Sequence, residues 1–215
     1  IFSYGWKRNP PRLLQAMGFD PCPTKKKQER MFIRALPHAK EKMLGLCLVM
    51  GGFFDGILGK AYAVANVLPD IVRNNFDVYY REHDEDADAR AIITAYGAAR
   101  LPIIIIGHSW GASSCVLDVL ARPPVRAVPI TALLTLDPVG LRMPQKLPGV
   151  RRWSNVYVDY KRAPRTRQNI IALIGHPWGA IAPASANHIF SGQNHADAIG
   201  MYKEWGEAFI LPAIR

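Results

Sequence analysis

Three stretches of the chain are apolar almost without alternation, and each is strand-sized. Leu44 to Met50 is stopped by Gly51-Gly52, Ile103 to Ile106 is an unbroken isoleucine run, and Ile130 to Leu136 is the third. A strand that is apolar on both faces belongs in a parallel sheet covered by helices. Phe76 to Tyr80 and Val156 to Tyr160 are aromatic and β-branched in the manner of strands, and Ile170 to Ile174 reads as a sixth. Helical segments fall between them. Lys60 to Asn74 is interrupted by Pro69. Asp84 to Arg100 carries acids in its first turn, where the helix dipole favours them. Ser109 to Ala121 follows the isoleucine run, and Ala196 to Leu211 closes the chain. Strands alternating with helices predict an α/β fold, a mostly parallel sheet with helices on both faces.

The first 43 residues differ. Pro10-Pro11, Pro21 and Pro23 break any periodicity, Lys25-Lys26-Lys27 follows, and only Lys26 to Leu36 suggests a short helix. Residues 1–43 therefore read as a basic arm packed on a domain that spans 44–215. The whole chain, 215 residues, suits one α/β domain and would cramp two. No apolar run approaches the ~18 residues of a transmembrane helix. The chain starts at Ile1 without a signal-peptide core, which suggests a processed or truncated piece and leaves the compartment open. Cys47 and Cys115 lie in apolar segments and are expected to be buried thiols, whereas Cys22 sits in the Pro-rich stretch. With no CxxC and no metal-ligand spacing, no metal or cofactor is expected.

The chemistry concentrates at Gly107-His108-Ser109-Trp110-Gly111, a G-x-S-x-G directly after a buried strand and directly before a helix. That setting is what the motif needs: a tight strand-to-helix turn lifts the serine oxygen off the sheet. The segment resembles the nucleophile elbow of the α/β-hydrolase superfamily of serine esterases and lipases, and the resemblance extends over about residues 44–211. It implies a compact α/β-hydrolase fold, Ser109 as nucleophile, and an acid and a histidine further along the chain. Two acids compete. Asp137, in Leu136-Asp137-Pro138, ends a strand in a context similar to that of the pancreatic-lipase-like group. Asp159 lies on the next strand pattern, where most of the superfamily places its acid. Asp137 is favoured because Asp159 reads as lying inside a strand. Among His176, His188 and His195, the last is favoured, since it sits in a polar loop just before the final helix. His108 reads as structural.

An oxyanion hole needs two backbone N–H donors. Trp110 would supply one, and the Gly51-Gly52-Phe53 loop the other, from Phe53 or alternatively Gly52. Phe53, Phe54, Ile57, Leu58, Trp110 and Trp178 are expected to flank the site. The substrate implied is an acyl or lipid ester. A net charge of +10 is unevenly spread: residues 1–43 hold ten Lys/Arg against three acids, and residues 141–170 eight against one. An anionic membrane surface is thus a possible partner. Nucleic acid is not expected, because no aromatic RNA-binding signature occurs. The competing reading is a non-catalytic membrane- or partner-binding module on a hydrolase scaffold.

Overall fold

Leu46 to Val49 have no polar side chain to turn toward water, and in the computed structural model they are fully buried at the centre of a sheet. The structure describes residues 45–53, 55 and 59–214. The arm 1–43, with Cys22 and the Lys25 to Lys27 run, lies outside the described residues, as do Phe54, Ile57 and Leu58.

Six strands form one sheet, all parallel, in the order β2-β1-β3-β4-β5-β6. They are β1 (Gly45–Gly51), β2 (Phe76–Glu82), β3 (Ile103–His108), β4 (Ala132–Leu136), β5 (Trp153–Tyr157) and β6 (Ala186–Ile189). Although β1 and β3 are apolar throughout, their side chains still alternate between faces. Cys47, Val49, Ile104 and Ile106 pack against α1 (Lys60–Asn66), α2 (Asp70–Asn75) and the last helix. Leu46, Leu48, Ile103 and Ile105 pack on α3 (Asp86–Ala98) and on α4, which starts as Ser109–Ser114 and continues in wider turns over Cys115–Leu120. Each fully buried Leu or Ile contributes roughly 1.5–3 kcal/mol, so this two-faced core dominates stability. Cys47 and Cys115 are buried free thiols within it.

Chain direction through the sheet places the site. After β1 the chain steps to β2 on one side, then returns to β3 on the other, making a switch point where the ends of β1 and β3 diverge. In open parallel sheets ligands bind in that crevice, beyond the carboxyl ends of the strands. The register then fixes what arrives there. His108 pairs with Leu136, and Leu136 with Val156, so Ser109, Asp137 and the residues after Tyr157 leave the sheet side by side.

Several expected boundaries move. Pro69 splits the first helix into α1 and α2 and caps the second. Ile170 to Ile174 is not a strand but the end of helix α5 (Arg167–Ile174). Thr166 caps it, its hydroxyl accepting the Asn169 N–H at 3.2 Å, and Ile170, Leu173 and Ile174 stand exposed, which an inner strand would forbid. The sixth strand is Ala186–Ile189, polar at Asn187 and His188 because it is an edge with alternating exposure. β5 starts and ends three residues earlier than expected, so Asp159 lies beyond it rather than inside it. The final helix α6 begins at Ala198–Met201, widens over Tyr202–Gly206 and resumes over Glu207–Ile210.

Candidate active site

Ser109 has φ of 56°, in the left-handed region that a non-glycine residue adopts only under constraint. The constraint is the turn from extended His108 into α4. Its neighbours show why glycines flank it. A Cβ on Gly111 would lie 2.3 Å from the Gly51 carbonyl oxygen, and one on Gly107 would lie 2.6 Å from the Ala112 Cα. The turn is thus wedged between its own helix and the end of β1.

Ser109 Oγ lies 2.9 Å from His195 Nε2, and His195 Nδ1 lies 2.6 Å from Asp137 Oδ2. A carboxylate only accepts, so Nδ1 carries the proton and Nε2 presents its lone pair to the serine hydroxyl. Asp137 is fully buried, and its own φ of 43° marks a second tight turn, at the end of β4. Its other oxygen, Oδ1, accepts the Val158 N–H at 3.0 Å. The Tyr160 hydroxyl donates to Oδ2. Burial and the Asp137 charge hold the Tyr160 pKa above the ordinary phenol value, so it remains a donor.

The His195 loop is held at both ends of one residue. Its N–H donates to Asn169 Oδ1 at 2.8 Å, and its carbonyl accepts from His108 Nε2 at 2.8 Å. Asn169, on α5, also donates through Nδ2 to the Pro164 and Gln193 carbonyls. His108 is buried, and burial, with the neighbouring His195 next, lowers its pKa to about 4. It is neutral near pH 7, with its proton on Nε2, the nitrogen that donates to the carbonyl. His108 therefore braces the loop that carries His195.

Other sequence candidates sit elsewhere. Asp159 faces its own turn, accepting the Lys161 N–H at 3.2 Å and lying 3.6 Å from Arg162 Nε. His188 stacks on Trp205 with ring centroids 4.1 Å apart, and His176 is exposed. Trp178 is buried, its indole N–H donating to the Gly140 carbonyl at 2.9 Å, so it supports the β4 loop rather than flanking the site.

The loop after β1 meets the serine through Gly52, where a Cβ would lie 2.8 Å from Ser109 Cβ and 3.3 Å from the Trp110 nitrogen. Asp55 anchors that loop, its carboxylate accepting the Ala61 and Tyr62 N–H groups and the Tyr80 hydroxyl. Beside Ser109 opens a cleft of about 620 Å³ walled by Phe53, Trp110, Val139, Leu141, Ile171 and Ile174. His83 and Gln168 are among its few polar walls.

No family model and no curated protein matches the sequence. Among solved structures the chain is similar to TT1662 from Thermus thermophilus, with 18% identity over 83% of this chain and 91% of that one, and a TM-score of 0.45. The site's chemistry is legible in its own geometry. A buried Asp–His pair in an α/β fold fits a hydrolase.

Tyr160, Asn169 and His83 escaped the sequence reading. Nothing in the local pattern distinguishes them: each reaches the site through a turn or helix whose position depends on the whole sheet. The Leu136-Asp137-Pro138 turn, by contrast, is visible because Pro138 has no N–H with which to continue the ladder.

Proposed function

We propose that the protein is a serine hydrolase of the α/β-hydrolase type that cleaves a carboxylic ester, an acyl or lipid ester, through an acyl-serine intermediate. The observation that carries this reading is the unbroken chain from Ser109 Oγ through His195 to buried Asp137, with the serine held at φ 56° beside an apolar cleft. Ser109 Oγ attacks the acyl carbonyl while its proton passes to His195 Nε2, and Asp137 stabilises the imidazolium. The tetrahedral oxyanion accepts the N–H groups of Trp110 and Phe53. Trp110 stands second in α4, where its N–H has no intrahelical acceptor. The Gly52 carbonyl accepts the Asp55 N–H at 3.0 Å, and the trans peptide then turns the Phe53 N–H the opposite way. Collapse expels the alcohol, which takes the proton from His195. A water deprotonated by His195 then releases the acid from Ser109.

A fluorophosphonate probe tests the reading directly. It is expected to label the full chain at Ser109 in one-to-one stoichiometry, mapped by peptide mass spectrometry. Absence of labelling in folded protein would leave the scaffold a binding module.

The cleft's mouth bears on the substrate's setting. Of the ten large apolar side chains exposed among the described residues, four line it: Phe53, Trp110, Leu141 and Ile174. Lys161, Arg162 and Arg165 follow β5 at the same carboxyl edge, whereas Arg151 and Arg152 precede it and sit at the opposite edge. An apolar rim beside basic residues suits an anionic lipid surface, where each basic residue contributes about 1 kcal/mol and is screened beyond ~8–10 Å at physiological salt. Activity on anionic vesicles is expected to fall steeply with added salt, while hydrolysis of a soluble neutral ester changes little. An equal salt response for both substrates would reduce the charge to a solubility role.

A further inference from the structure

The oxygen of Asp137 that faces His195 carries a second donor. Tyr160 follows β5 in the turn that also holds Asp159. Asp159 turns outward to Arg162, and Tyr160 turns inward. Its hydroxyl donates to Asp137 Oδ2, the atom that accepts His195 Nδ1–H at 2.6 Å, and lies 3.4 Å from Nδ1 itself. The three polar atoms close a triangle, and the Val158 N–H completes the carboxylate from the other side. We propose that Tyr160 is a positioning residue that sets the basicity of His195 by sharing the Asp137 oxygen with it. The proposal rests on the serine-hydrolase reading of the same site.

The phenol acts through charge. A buried carboxylate that already accepts a phenol O–H has part of its charge neutralised, so it attracts an imidazolium less strongly. Without the phenol the full carboxylate charge would act on the imidazolium, which would make His195 a stronger base. The phenol also fixes which carboxylate oxygen the imidazole meets. Other titratable groups near the pair are His108 from β3, which contacts the His195 carbonyl, and Asp55, whose charge acts on His108. Lys60 and His83 line the same cleft. None of them bonds the Asp137 carboxylate. The Tyr160 ring itself packs against the apolar core, so a phenylalanine retains that contact.

The test is the pH profile of kcat/KM on a soluble ester, measured on the full chain, for the wild type and Tyr160→Phe. Removing the phenol is expected to move the acid limb upward by about half to one pH unit, a ~3–10-fold loss of activity below the limb, with a smaller change on the plateau. The pH dependence of fluorophosphonate labelling should shift alike, because it reads the same ionisation without deacylation. Replacing Tyr160 by 3-fluorotyrosine, a stronger donor of nearly the same size, is expected to move the limb the other way. A uniform loss of activity with an unmoved limb in both variants would overturn the proposal and leave Tyr160 a packing residue. A Ser109→Ala control separates the two readings: if it abolishes turnover while the limb stays fixed, only the Tyr160 assignment fails, and if it does not, both fail.

Discussion

Ser109→Ala is expected to lower kcat for ester hydrolysis by at least about 10⁴-fold, while the protein stays folded. The serine oxygen is the only atom removed, and it contributes one hydrogen bond, to His195 Nε2. A net hydrogen bond of this kind is worth about 0.5–1.5 kcal/mol, small beside the two-sided core. Alanine meets the same φ of 56° that serine does, so backbone strain is unchanged. Steady-state kinetics on a p-nitrophenyl ester, alongside a thermal melt, separates loss of chemistry from loss of fold. A variant that melts like the wild type and keeps most of its activity would end the serine-hydrolase reading.

What could be read from the chain alone follows from how local each feature is. Ile103 to Ile106 can only be buried on both faces, so β3 and the covered parallel sheet were legible, and the glycines around Ser109 announced a crowded turn. Asp137 was legible because proline follows it immediately. Segments whose character depends on neighbours were not. Ile170 to Ile174 is apolar enough for a strand, yet Thr166 caps a helix there and half of that helix faces outward. β6 is polar because it is an edge, and nothing local distinguishes such an edge from a loop. In the sequence Asp137 is favoured over Asp159 because Asp159 reads as lying inside a strand. The strand ends at Tyr157, and what separates the two acids is instead the direction their turns take. Tyr160 and Asn169 hold the ends of this arrangement through tertiary contacts that no spacing in the sequence encodes.

That difference in direction sets the second large effect. Asp137→Asn is expected to cost on the order of 10⁴-fold in kcat, and Asp159→Asn only a few-fold at most. The amide is nearly the same size, so the fully buried site at the end of β4 loses little packing. Its chemistry changes at both oxygens. An amide NH₂ turned toward His195 would donate to Nδ1, forcing the imidazole proton onto Nε2, and Nε2 could then no longer accept from Ser109. An amide oxygen turned toward His195 would keep the tautomer but leave the imidazolium without a counter-charge in a buried site. The Val158 N–H would then face an NH₂ group where Oδ1 now accepts at 3.0 Å, which sets two buried donors against each other and opposes that orientation. Either way the proton transfer fails. Asp159→Asn removes only the charge that faces exposed Arg162, a contact of the kind worth about 0–1 kcal/mol at a surface, and its amide oxygen can still accept the Lys161 N–H. Kinetics of both variants on one soluble ester, with melting temperatures in parallel, gives the comparison. Equal and mild losses would mean that neither carboxylate orients the base, and a greater loss at Asp159 would transfer the role to the turn after β5.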